Sequence, residues 1–189
     1  MNPKKTFYIV TVLWLLVFTG FIAYKEYTLQ TGTEVVLKTV PVDPRDLFRG
    51  DYVILNYEIS RLDLAEVPTE NNLDIPGETE YFDYGDRIYL GLGLDEDGYG
   101  FPDRIYIEKP EDRLYLTGTI VGIRGDTRTE KVTLLVEYGI ESYFVPEGRG
   151  RDIEKERWDG KAVDVEVVVD SRGNAVIKNL LIDGEEVEF

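Results

Sequence analysis

Eighteen consecutive residues without a charge, Phe7 to Tyr24 (FYIVTVLWLLVFTGFIAY), constrain this chain more than any other feature. As a helix, the run spans about 27 Å, close to the hydrocarbon thickness of a bilayer. A cleaved signal peptide would begin with a similar pattern but needs small residues ahead of its cleavage site. Phe18 and Phe21 stand where those small residues would be required, so the run reads as a retained transmembrane helix. Tyr8 near one end, with Tyr24 and Tyr27 at the other, suits the aromatic belt of a membrane interface. Lys4 and Lys5 precede the run, whereas Lys25 is followed at once by Glu26. The positive-inside bias then puts the N-terminus in the cytoplasm and the rest outside. The expected organisation is a cytoplasmic tip and anchor over 1–24, a juxtamembrane linker over 25–32, and an extracytoplasmic domain over 33–189.

That domain is strongly acidic. All 37 Asp and Glu follow Tyr24, against 19 of the 21 Lys and Arg, a net of −18 on this portion and −16 for the whole chain. Such a surface repels nucleic-acid phosphates, so no nucleic-acid partner is expected. The chain contains neither histidine nor cysteine. Ser-His-Asp and Cys-His catalysis both need an imidazole base, and zinc sites draw mainly on the two missing residue types. Neither a metal nor a cofactor is expected. Chemistry, if any, falls to carboxylates, Lys, Arg, Tyr and a few hydroxyls.

Period-two alternation, the mark of half-buried strands, recurs through the domain. In Lys161–Asp170, Val163, Val165, Val167 and Val169 share one face, and Asp164 and Glu166 the other. In Asp86–Asp95, Ile88, Leu90, Leu92 and Leu94 line up; Lys131–Tyr138 and Asp51–Ile59 follow the same rule. Further strands are expected over 33–40, 104–108, 113–124, 141–145, 174–182 and 185–189. Asp95-Glu96-Asp97-Gly98, Asp170-Ser171-Arg172-Gly173-Asn174 and Asp183-Gly184 supply turn chemistry between them. A short helix is expected over 154–158, a helical turn over 62–68 and an exposed loop over 66–80. The predicted fold is mainly β, an antiparallel barrel or sandwich preceded by one N-terminal transmembrane helix.

The densest patterning lies in Val40–Tyr57, VPVDPRDLFRGDYVILNY. Pro44 fixes φ, Asp43 can accept hydrogen bonds from the amides that follow, and Gly50 gives a permissive backbone ahead of a strand. Along that strand Leu55 and Tyr57 share one face and Tyr52 takes the other. Gly50, Asp51, Tyr52, Leu55 and Tyr57 spell G-D-Y-x-x-L-x-Y. On this motif, the leading anchor, the β-rich remainder and the downstream Tyr143-Phe144-Val145-Pro146-Glu147-Gly148, the chain resembles the GDYXXLXY family. The resemblance implies a membrane-anchored protein and brings no activity with it. Two roles are open for the motif. It can be a folded corner, with its carboxylates capping amides and its tyrosines packing. Alternatively, Asp43, Arg45, Asp46, Arg49 and Asp51 form a small polar site, which Glu147 from the second block joins by approaching Arg45 or Arg49.

Two functions from different classes follow. The first is a non-enzymatic interaction module, tethered beside other membrane proteins and bound to a membrane-protein or envelope partner. The second is a carboxylate-dependent envelope hydrolase. The anchor, the β-fold and Phe48-Arg49-Gly50-Asp51-Tyr52-Val53 also resemble signal peptidases. Those enzymes need a serine nucleophile upstream of that segment, and here the first serine is Ser60, so the architecture does not bring the catalysis. Asp95–Gly98 lacks the ligand spacing of an EF-hand and reads as a hairpin turn.

Overall fold

The structure, a computed structural model, describes residues 3–40, 52–70, 82–126 and 131–188. Its first element is one uninterrupted helix, α1 (Pro3–Thr31), whose apolar window is exposed along its whole length. Residues 25–31, expected above to be part of a linker, are helical. Their sequence, KEYTLQT, contains no glycine or proline, so nothing stops the helix before Gly32.

Among the described residues twelve strands follow: β1 (Thr33–Val40), β2 (Tyr52–Ile54), β3 (Asn56–Tyr57), β4 (Arg61–Asp63), β5 (Arg87–Leu94), β6 (Gly100–Tyr106), β7 (Tyr115–Asp126), β8 (Lys131–Glu137), β9 (Ser142–Phe144), β10 (Val163–Val169), β11 (Ala175–Ile182) and β12 (Glu185–Glu186). A second helix, α2 (Arg149–Trp158), lies between β9 and β10. The named ladders are antiparallel and form two five-stranded sheets, β12-β11-β10-β1-β3 and β4-β8-β7-β5-β6, with β2-β9 as a separate pair. The expected mainly β class is what the chain adopts, as a nearly closed, barrel-like wall. Backbone bonds stitch the sheets where no ladder runs. Val36 N donates to Gly98 O at 3.0 Å, Leu55 N to Glu141 O at 2.9 Å, and Thr117 N to Gly173 O at 2.8 Å.

The wall encloses a single apolar cluster. Leu37, Leu55, Leu62, Leu90, Ile105, Leu116, Ile120, Leu134 and Val165 are completely buried. Each such side chain contributes about 1.5–3 kcal/mol relative to its exposed state. The alternation read from sequence predicts the inward residues of β5, β8 and β10 well. It fails where a distant element covers the outer face. Asp164, expected on the solvent side of β10, is only 7 % exposed. Its carboxylate accepts the Tyr99 hydroxyl at 3.0 Å, from the turn between β5 and β6, and Lys38 sits over the Tyr99 ring. Val168, on the same outer face, is buried against Gly32 at the end of α1. At the other extreme, Leu94 runs past the core and is exposed.

Several boundaries also shift. β6 begins at Gly100 rather than 104, and α2 begins five residues before Glu154. The helical turn expected over 62–68 is instead strand β4 followed by a turn, where Asp63 accepts the Ala65 and Val67 amides. A 3-10 turn at Glu58–Ser60, absent from the sequence reading, separates β3 from β4. Of the loop expected over 66–80, residues 71–80 lie outside the described residues.

Candidate functional site

The two sequence blocks singled out above meet in the β2–β9 ladder. Tyr52 faces Phe144, Val53 faces Tyr143, and Ile54 faces Ser142. Asp43, Arg45, Asp46, Arg49, Gly50 and Asp51 lie outside the described residues, so the expected approach of Glu147 to Arg45 or Arg49 does too. Glu147 itself is exposed, on a turn closed by Arg149 N donating to Pro146 O at 3.0 Å. It is three residues beyond Phe144, on the side of the ladder from which the chain enters at Tyr52. Phe144 is 78 % exposed.

The second half of the motif is core. Val53, Leu55 and Tyr57 are buried, and the chain changes partner around Leu55, pairing with β9 before it and with β1 after it. Tyr57 is 0 % exposed, and its hydroxyl donates to Ile140 O at 2.6 Å. Tyr138 answers it, donating to Ile59 O at 2.7 Å. Two phenols thus cross-tie segments 57–59 and 138–140, each satisfying a carbonyl of the other segment. The tight turn between Tyr138 and Glu141 needs Gly139 at φ +80°, a conformation that favours glycine. The Glu141 carboxylate caps the Tyr138 amide across that turn. Burial pushes both phenols above their usual range, and the nearby Glu141 charge adds to it. Alternation puts Tyr57 in phase with Val53 and Leu55, and Tyr138 in phase with Leu134 and Val136, but it announces neither the cross-tie nor the Glu141 cap.

A second constellation lies where α1 enters the domain. Its C-terminal turns pack on β10 and β11, and Thr28 is 1 % exposed. The Tyr24 hydroxyl donates to Asp170 Oδ2 at 2.9 Å. Gly32 makes the turn from helix to strand at very close quarters. A Cβ there falls 2.5 Å from Val168 Cγ1 and 2.7 Å from the Val169 carbonyl oxygen. Gly32→Ala is therefore expected to force the helix off the sheet, costing about 1–3 kcal/mol, and thermal unfolding of the full chain in detergent checks this.

Asp170 is the other hinge of this contact. Burial alone would raise its carboxyl. The Asn174 side chain and amide, the Arg172 amide and the Tyr24 hydroxyl donate to it and together hold it below the usual carboxylate value. A carboxyl depressed in the folded state stabilises above its unfolded value, about 3.9, and that stabilisation is lost as pH falls through the folded value. The helix contact is therefore expected to loosen only below about pH 4. Asp170→Asn should abolish that acid dependence, measured as the protease sensitivity of the 24–33 segment against pH.

Architecturally, this is a single apolar helix of membrane-spanning length fused without a break to a nearly closed β domain. A family model described as GDYXXLXY protein matches residues 14–180, and the chain belongs to that family. No curated protein and no solved structure matches it.

Proposed function

We infer that the protein is a non-catalytic interaction module, anchored by residues 7–24, whose acidic β domain stands on the extracytoplasmic side and docks a membrane-protein or envelope partner. The observation that carries this reading is the α1–domain contact. Tyr24, the last residue of the uncharged run, is bonded to Asp170, and Thr28 and Gly32 are packed into the same joint. A domain joined in this way keeps one posture over the bilayer, which suits presentation of a fixed face to a neighbour. The face proposed for the partner is the β2–β9 region, where Phe144 and Glu147 are exposed and Phe144 faces Tyr52; Asp43, Arg45, Asp46, Arg49 and Asp51, which lie outside the described residues, are its polar candidates.

The cysteine-free chain makes the test direct. Lys5→Cys and Glu185→Cys variants are exposed to a membrane-impermeant maleimide in intact cells. Labelling at 185 with protection at 5 is expected, and the reverse pattern contradicts the orientation. For the partner, photo-crosslinking from position 144 should capture a defined membrane protein. Asp51→Asn should reduce that capture while leaving the melting temperature unchanged. Loss of folding instead would assign Asp51 to the corner.

A further inference from the structure

We propose that the joint between α1 and the domain seats the headgroup of a zwitterionic aminophospholipid. This deepens the anchored reading above and rests on it. The Tyr24–Asp170 bond brings the turn after β10 level with the end of the uncharged run, where headgroups begin. The start of β7, where the connection from β6 ends, is tied to the same turn, through the Tyr115 hydroxyl donating to Ser171 O at 3.1 Å and Thr117 Oγ1 to Arg172 O at 3.0 Å. Two adjoining open grooves run between these elements and the helix end, sharing Asp112, Arg113, Tyr115 and Ser171. Their volumes, about 640 and 380 Å³, fall in the range of small-ligand sites.

Their charges are graded: Arg113 and Asp112 line both grooves, Lys109 only the outer one and Asp170 only the inner one. The outer groove contains Lys109 and Arg113, with the Lys109 ammonium 5.9 Å from the Tyr115 ring centre. Glu111 and Asp112 line it as well. Arg113 is held to Asp103 at 3.3 Å in a solvent-exposed pair, a contact weak enough to exchange for a phosphate. The inner groove adds Thr31, Gly32 and Asp170 to the shared Asp112 and Arg113. Helix α1 ends here with no basic residue in its last turn, so its terminal carbonyls present partial negative charge to the groove. A phosphate suits Lys109 and Arg113, and an ammonium suits the helix end with Asp112 and Asp170. A headgroup carrying both charges a few ångströms apart complements the two halves together, whereas a purely anionic one meets three carboxylates.

The full chain is reconstituted in nanodiscs of phosphatidylethanolamine and phosphatidylglycerol, or of phosphatidylcholine and phosphatidylglycerol, then extracted into mild detergent. Retained lipid is counted by native mass spectrometry. Phosphatidylethanolamine should be retained about tenfold over either other lipid, a discrimination of about 1.4 kcal/mol. The exposed-loop double variant Lys109→Glu/Arg113→Glu should lose it with an unchanged melting temperature. Asp112→Asn, which keeps the residue type best suited to φ +54°, should lower ethanolamine over choline discrimination alone. Equal retention of all three lipids, preference for phosphatidylglycerol, or retention unchanged by the double variant overturns the proposal. A chain recovered outside the membrane fraction would instead overturn the anchoring it rests on.

Discussion

Replacing Tyr57 by alanine should destabilise the domain by about 3–5 kcal/mol, the range for deleting a large buried aromatic. Tyr57→Phe should cost about 1–3 kcal/mol, because the ring stays and only the Ile140 carbonyl loses its donor. Tyr138→Phe should cost a similar amount through Ile59. The two phenols bridge the same two segments in opposite senses, so their losses are expected to couple rather than add, as contacting residues do. Urea titration of the full chain in detergent, followed by circular dichroism, gives all four corners of the cycle. Additive and small effects would mean that the final tyrosine of the motif is not a brace.

Alkaline pH should unfold the protein through the same pair. Each phenol is raised in the folded state, so the folded protein holds two protons that the unfolded chain releases near pH 10. The stabilisation is complete below that pH and is lost as pH climbs toward the folded values. Above about pH 11 stability should fall by roughly 2.7 kcal/mol per pH unit, twice the single-proton slope. Tyr99, raised by its partial burial and by the bond to Asp164, adds to this slope in the same sense. Tyrosinate absorbance should therefore rise in two phases, the second coincident with loss of circular dichroism. In the Tyr57→Phe/Tyr138→Phe double variant, the steep dependence should disappear. A single smooth ionisation with the fold intact would contradict the sealed environment of the two rings.

How far the sequence disclosed the molecule depends on whether a residue's neighbours were local. The inward valines of β10 and the leucines of β5 follow from alternation, because one core face decides them. Asp164 does not, since what buries it is Tyr99, 65 residues away in sequence. Tyr57 and Tyr138 are each in phase with a core face, but no period links the two, and the pairing exists only once β8 and β9 fold back. The juxtamembrane linker expected over 25–32 is helical as far as Thr31, because no breaker precedes Gly32. The helix joint itself, through Tyr24, Asp170 and Gly32, depends on packing that no motif announces. Of the polar candidates, only Glu147 is among the described residues. Its place beside the motif is set by the β2–β9 register and not by anything visible in either block alone.

The central claim is that the anchor and the β domain form one rigid piece. Spin labels at Glu26→Cys and Glu185→Cys, the only thiols in the chain, report it through pulsed electron–electron distance measurement in nanodiscs. A single narrow distance distribution, broadened by Gly32→Ala, is the expected result. A broad distribution in the otherwise unaltered protein would show a domain swinging freely on its tether and would contradict the account.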